Sequence, residues 1–493
     1  MRARLAELEG LLDRAGVVPA LEALLPRGGR PRQLPVRSLL VGMLLAAADD
    51  RPAHLTRVHE ALVGLEETDR RRLSVTSDWG NGPHQLTYRQ TEHLARQLRT
   101  VLATSDGEPG ATLTVVVDAL TEASVPEAYK QASVDLAVDW TDHESFARPG
   151  RQEVDPDASW GHRKGGGPGE RSELFFGYYL QFATVVGELG RAVPELVRRM
   201  VLASARVDPP AVMVKMLGRL VAAGTRLGDV LADSGYSHRV ATTFALPLRA
   251  LGACLVVDLH PHDRGPQGTF AGAIVCNGAL YCPATPPALL QMTQLPRGAS
   301  REQLAAHDAR LAELVRYRLR RLSKDDADGY HRVACPAVAG KLRCPLREPS
   351  MALGFDRPEV AEPPTEPPPC CSQKTITVPP AVAAKTTQRH DYATPAWRQS
   401  YARRTAVERS NAALKDPARG GTGRGWCRLM GLPGITLFLL CHVVVGNLRL
   451  VEAFESRARE NERRSSGGLP PHTRARRRRS LIDLAPAEHR RPH

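Results

Sequence analysis

The sequence predicts an α/β protein. Its core is a mixed sheet, preceded by an all-helical N-terminal region and interrupted late by a long insertion. Three observations carry this. Apolar residues recur at helical spacing through the first hundred positions. From 112 to 259 the texture turns β-branched, and short strands alternate with helices. From His260 to about His390 that rhythm breaks, in a stretch that holds six of the nine Cys and the Pro363-Pro364 to Pro369 run. Helical texture returns at Pro395.

Taken in order, LAELEGLLDRAGVVPALEALL, SLLVGMLLAAADD and LTRVHEALVGL read as amphipathic helices, broken at Gly28-Gly29 and Pro31. A further helix, Tyr88 to Ala103, follows the Asn81-Gly82-Pro83 turn. This region, residues 1–110, is either a helical bundle packed on the rest or a helical DNA-binding module. Thr112–Val117 is β-branched and ends at Asp118. Leu136–Trp140 is a short strand ending in Asp139, and a loop rich in Asp, Gly and Pro follows it. Leu174–Val186 and Val197–Val207 read as strands, and Pro210 to Ala223 as a helix with Pro near its start. Val230–Ala232 is a strand ending in Asp233, Val240–Leu251 a helix and Cys254–Leu259 a strand. Residues 111–262 thus form the first part of the core, 263–391 the insertion and 392–455 the second part. Residues 456–493 form a disordered basic tail.

The chain has 493 residues, 42% of them hydrophobic, enough for a sizeable core, so wholesale disorder is excluded. The net charge is +14, which points to a polyanionic partner, nucleic acid first. Only 8 of the 67 basic residues are Lys, a skew that GC-rich coding also produces. Distribution says more: from Ser456 onward there are 11 Arg against 4 acids. The start, MRARLAELEG, is charged and carries no apolar signal core. The longest apolar run, Ile435 to Gly446, is too short for a bilayer and reads as a buried helix. Nine Cys is no disulfide scaffold, so a reducing cytoplasm is expected, with no membrane partner.

Three acids stand out. Asp139 and Asp233 sit at strand ends, where a sheet presents side chains to a crevice. Glu408 lies in YARRTAVERSNAALK, which reads as helix. Carboxylates brought together repel unless divalent cations sit between them, and hard oxygens suit Mg²⁺ or Mn²⁺. Position alone does not single these out, since Asp118 and Asp258 also end strands. The segment around Glu408 adds a pattern: Tyr401, Arg404, Glu408 and Lys415 stand at offsets of three, four and seven. On a helix all four share one stripe, a poor core face. The plainer reading is a surface helix with an Arg404–Glu408 ion pair.

This pattern resembles the YREK signature of DDE transposases of bacterial insertion sequences, a family with an RNase H-like catalytic core. VDLAVDWTD resembles their first catalytic strand and VLADSGYSHR their second. The stretch DPDASWGHRKGGGPGERSELFFGYYLQFAT resembles the loop and strand between, with its Phe176-Gly177-Tyr178 step. The likeness covers about Leu113 to Glu455. It implies that Asp139, Asp233 and Glu408 are the catalytic triad and bind Mg²⁺ or Mn²⁺, as two ions. It implies that Tyr401, Arg404 and Lys415 contact DNA at the transposon end. The partners it implies are double-stranded DNA, as transposon ends and target, and a second copy in a synaptic homodimer at the bacterial nucleoid. A related nuclease or a domesticated DNA-binding transposase is the alternative.

Other signals are weaker. The insertion's Cys pairs, Cys276 with Cys282, Cys335 with Cys344, and Cys370 with Cys371, lack the two-residue knuckle spacing. Buried thiols are the plainer reading, and a structural zinc held by four of the six the other. Gly165–Gly169 lacks the Lys-Ser/Thr ending of a phosphate loop, and no Gly-x-Ser-x-Gly elbow is present. His260, His262 and Asp263 read as a strand cap before a metal site. Trp140 reads as core before a stacking platform for an unpaired base.

Overall fold

The computed structural model describes residues 2–26, 32–78, 83–102, 104–149, 154–163, 172–291, 295, 298–419 and 421–471. Its central sheet has six strands. They are β1 (Ser133–Glu144), β2 (Ser159–Arg163), β3 (Glu173–Val186), β4 (Val197–Ser204), β5 (Arg226–Ala232) and β6 (Cys254–Val257). The spatial order is β6-β5-β1-β3, with β2 and β4 pairing successive stretches of β3. β1 runs antiparallel to β3, and β3 to β4, while β5 lies parallel to β1 and β6 parallel to β5. The long apolar runs fit a sheet covered on both faces: Leu136, Ala137 and Val138 of β1 are fully buried. Gly177 lets β3 pass close to β1, because a Cβ there would lie 2.2 Å from the His143 carbonyl oxygen.

Among the described residues the N-terminal region has six helices, α1 (Arg2–Ala15), α2 (Val17–Leu24), α3 (Val36–Ala48), α4 (Leu55–Val63), α5 (Glu67–Arg72) and α6 (Tyr88–Val101). They do not stand apart: one hydrophobic core runs from Leu5 through the sheet to Val445. The N-terminal region is not wholly helical, because Thr76–Asp78 pairs antiparallel with Pro83–Gln85. The β-branched Val75-Thr76 step favours extended chain there. The breaks predicted at Gly28-Gly29 and Pro31, the Asn81-Gly82 turn and the Gly165–Gly169 loop lie outside the described residues.

The stretch Thr112–Val117 is not a strand. It lies in α7 (Ala111–Ala123), where Leu113, Val116, Val117 and Leu120 bury one helical face. Burial at this spacing overrides the β preference of Val and Thr. Asp118 is therefore a helix residue, ion-paired to Arg219 at 2.7 Å. β1 is longer than expected, so Asp139 lies inside it rather than at its end. β2 is a strand where a loop was expected. The helix predicted at Val240–Leu251 shrinks to Ala245–Ala250, because Pro247 has no N–H to donate and fits only the first turn. Pro209–Ala222 forms α8 as expected.

The apolar run at Ile435 belongs to a 35-residue helix, Leu432–Ser466, so its first eleven residues past 455 are ordered helix and not tail. This helix is long and apolar enough to cross a membrane, with mean hydropathy 1.8 in its most apolar window, yet 61% of that window is buried in the fold. Its Asn447 amide serves β4: Nδ2 donates to the Val197 carbonyl and Oδ1 accepts the Val197 N–H, both at 2.9 Å. Arg474 and Arg476–Arg479 lie outside the described residues. The insertion holds two small three-stranded sheets, Pro266–Phe270, Ala273–Cys276 and Ala279–Tyr281, then Arg320–Arg321, His331–Ala334 and Ile376–Val378. Two hydrophobic clusters lie apart from the main core, and one of them joins Val275 and Leu280 of the first sheet to Val333, Ile376 and Val378 of the second.

Candidate active site

Sheet register brings the two Asp together. Ala137 of β1 pairs with Leu231 of β5. Asp139 stands two residues further along β1, and Asp233 follows directly on the end of β5, the neighbouring parallel strand. Asp233 leaves the strand and caps the turn Ser234–Ser237, its Oδ1 accepting the Gly235 N–H at 2.9 Å. Gly235 is needed there, since a Cβ would meet the Trp140 ring at 2.6 Å. Trp140 stacks edge-on against Tyr236, 4.4 Å between centroids, and packs partly buried against the core under the Asp233 turn.

The third acid arrives from across the sheet. Helix α9 (Pro395–Tyr401) passes through a 3₁₀ turn, Ala402–Arg404, into α10 (Thr405–Lys415), which packs on β1 and β3. The expected single helical stripe is therefore broken between Tyr401 and Glu408. Its members still share surroundings. Arg404 pairs with Glu408 and lies 5.6 Å from the Tyr401 ring centroid. Tyr401 stacks on Trp397 at 4.7 Å. Arg404 is 16% exposed in its side chain, so it is no surface residue. Lys415 stands apart, two turns beyond Glu408, 3.3 Å from Asp142 of β1.

Glu408 is the more open of the three acids, its side chain 48% exposed. Burial, with the charges of Asp233 and Glu408, pushes the Asp139 carboxyl up to about 7, and Arg404 offsets part of that. Asn411, one turn past Glu408, donates from Nδ2 to Asp139 Oδ2 at 3.1 Å. The Asn411 Oδ1 and the hydroxyl of the fully buried Tyr236 have no hydrogen-bond partner among the described residues. Two buried, unpartnered oxygens beside converging carboxylates are what a hydrated cation would satisfy. Neither Asn411 nor Tyr236 was singled out from sequence. The signal for Asn411 was its place three residues after Glu408 on the same helix face.

A buried ion cluster holds α10 in place. Arg403 reaches Asp135 of β1 and Asp229 of β5, both at 2.5 Å. Arg389 reaches the other Asp229 oxygen at 2.8 Å. The Asp229 N–H donates to Asp135 Oδ1 at 2.7 Å. The competing acids are spoken for. Asp258 accepts from the Tyr392 hydroxyl at 2.7 Å and pairs with Arg264. His260 caps the turn Pro261–Asp263, accepting the His262 N–H at 3.4 Å, and Lys385 holds Asp263 at 2.8 Å. The donor atoms of His238, His260 and Asp263 lie within 4.8 Å of one another.

Removing the carboxylate charge at Asp139 is expected to stabilise the metal-free chain. A carboxyl raised from 3.8 to about 7 costs stability once ionised. The cost is full above pH 7, shrinks as pH falls towards 3.8 and vanishes below that. Asp139→Asn is expected to raise stability by about 1–2 kcal/mol at pH 8, below the full shift because solvent relaxation screens the site. The gain should fade between pH 7 and pH 4. Paired thermal melts at pH 8 and pH 4.5 measure it, and a variant less stable at pH 8 would contradict the crowding of these acids. Comparison with protein-family models gives no match for this chain, and comparison with curated proteins gives none either.

Proposed function

We propose that the chain is a DDE transposase that binds the terminal inverted repeats of an insertion sequence and catalyses metal-dependent DNA strand cleavage and strand transfer. One observation carries the reading: Asp139 of β1 and Asp233, just past the end of the neighbouring parallel β5, are joined by Glu408 of α10, and the charges of both raise the Asp139 carboxyl. The sheet supports an RNase H-like core. Three antiparallel strands, β1, β3 and β4, are followed by two parallel ones, in the order β4-β3-β1-β5-β6. β1 carries Asp139, Asp233 directly follows β5, and a helix on the same sheet carries the Glu.

Asp139, Asp233 and Glu408 would hold Mg²⁺ or Mn²⁺, as two ions. Such ions, when bound, activate a water or 3′-hydroxyl and stabilise the leaving oxygen. Asn411 orients Asp139 through its amide. Arg404 sits among the three acids and beside the Tyr401 ring, a cation ready for a phosphate oxygen. Lys415, 38% exposed, exchanges Asp142 for a DNA phosphate further along the strand. Residues from 456 onward carry a surplus of +7 and add sequence-blind affinity. The helical N-terminal region reads the repeats, and two copies pair the ends at the nucleoid of a bacterial cytoplasm.

Lys415→Ala is expected to slow cleavage of a pre-nicked end by about tenfold to a hundredfold, through misplacement of the scissile bond. Its stability cost should stay below about 1 kcal/mol, since an exposed ion pair contributes little. Single-turnover cleavage beside a thermal melt separates the two. Wild-type cleavage with a wild-type melt would make Lys415 an ordinary surface residue.

A further inference from the structure

The insertion carries a second cluster with metal-ligand chemistry, unrelated to the carboxylates. Cys282, Cys335, Cys344 and Cys371 line one small void of about 10 Å³, roughly the room one water-sized sphere needs. They come from four separate places. Cys282 follows the strand Ala279–Tyr281, Cys335 follows His331–Ala334, Cys344 lies in the loop beyond, and Cys371 lies in the short helix Pro369–Ser372. No acid lines the void; the other lining residues are apolar apart from Arg347.

Three of the four begin the same dipeptide, Cys282-Pro283, Cys335-Pro336 and Cys344-Pro345. Two of these turns are built alike. The Cys282 carbonyl accepts the Thr285 N–H at 3.0 Å, and the Cys344 carbonyl the Arg347 N–H at 2.8 Å. The backbone N–H groups of Ala284 and Leu346 lower the two thiols in part, although burial leaves both raised, Cys282 to about 12. A backbone N–H aimed at sulfur stabilises thiolate, the form that binds metal. The Arg347 guanidinium supplies positive charge beside Cys344 and Cys371. The remaining two thiols are otherwise engaged or placed. Cys276 donates to the Leu290 carbonyl at 3.7 Å, and Cys370 packs against the Gly272 turn with its sulfur 3.9 Å from that of Cys371.

We propose that Cys282, Cys335, Cys344 and Cys371 form a structural tetrathiolate zinc site that ties the insertion's two small sheets together. The need is physical. The stretch from 335 to 375 has almost no regular structure, and the two hydrophobic clusters beside it are small. Small cores of this kind are commonly completed by a metal staple. The sulfurs ring the void more loosely than a closed site, since His238, His260 and Asp263 are the described group with all donor atoms within 4.8 Å. Zn–S bonds of about 2.3 Å would draw the turns inward. Soft thiolates select zinc here, where the hard oxygens of Asp139, Asp233 and Glu408 suit Mg²⁺.

The test uses the full chain purified without chelator. Elemental analysis is expected to find about one zinc per chain. Cys282→Ser, Cys344→Ser and Cys371→Ser should each lose it, while Cys276→Ser and Cys370→Ser keep it. Substituted Co²⁺ should give the intense sulfur-to-metal charge-transfer bands of a tetrathiolate, which carboxylate ligands cannot produce. Should the Ser variants fail to fold, Cys335→His keeps a fourth ligand and should bind Co²⁺ with a shifted spectrum. A folded chain without zinc, zinc retained after loss of two of the four thiols, a cobalt spectrum without sulfur bands or unmoved in Cys335→His, or disulfides among the four would each overturn the assignment. None of these outcomes depends on the catalytic reading.

Discussion

Replacing Arg403 by Met is expected to cost about 3–5 kcal/mol of stability, because it strands buried charge. Arg403 is the cation between Asp135 and Asp229, and Asp229 is only 4% exposed. Without the guanidinium, two carboxylates on neighbouring strands face each other beneath α10. Met fills much of the same volume, so packing loss is the smaller part. Adding Asp229→Asn and Asp135→Asn should recover a large share, since neutral amides remove the stranded charge. Denaturant melts of the single and triple variants measure this. A single variant within about 1 kcal/mol of wild type would mean that Arg389 alone neutralises the cluster.

Asp233→Asn is expected to reduce strand cleavage by about a thousandfold or more, since losing metal stabilisation of the reacting oxygens removes several kcal/mol from the barrier's offset. The amide keeps the shape and still accepts the Gly235 N–H through its oxygen, so the turn under Trp140 survives. Binding of end DNA should change little. Gel-shift affinity and Mg²⁺-dependent cleavage of labelled end DNA, run together, separate the two effects. Cleavage within tenfold of wild type would remove Asp233 from the metal ligands.

Much of the site was legible because its signals are local. β-branched runs mark the strands that end at or carry Asp233 and Asp139, and the offsets from Tyr401 to Glu408 mark the helix. What was not legible depends on distant partners. Arg403 and Arg404 are neighbours of one type in the sequence. Only the fold, which brings Asp135 from 268 residues away and Asp229 from 174, makes one a structural ion and the other a site residue. Ala111–Ala123 misled because Val and Thr favour strands locally, whereas burial of Leu113, Val116 and Leu120 decides for helix. The cysteines misled in another way. Pairing them by proximity in sequence hides that Cys282, Cys335, Cys344 and Cys371 line one void, while the repeated Cys-Pro step was the available clue.

The central claim is that Asp139, Asp233 and Glu408 together cut DNA with divalent metal. The most direct measurement incubates the full chain with a linear DNA fragment carrying the gene and its flanks, with Mg²⁺ or Mn²⁺, and sequences the 3′ ends produced. The prediction is new 3′-hydroxyl ends at the borders of short inverted repeats on both sides of the gene, with wild-type chain and metal, and none with Glu408→Gln or with chelator. Contradiction would be an absence of cuts with wild-type chain under both metals, or equal cutting by Glu408→Gln.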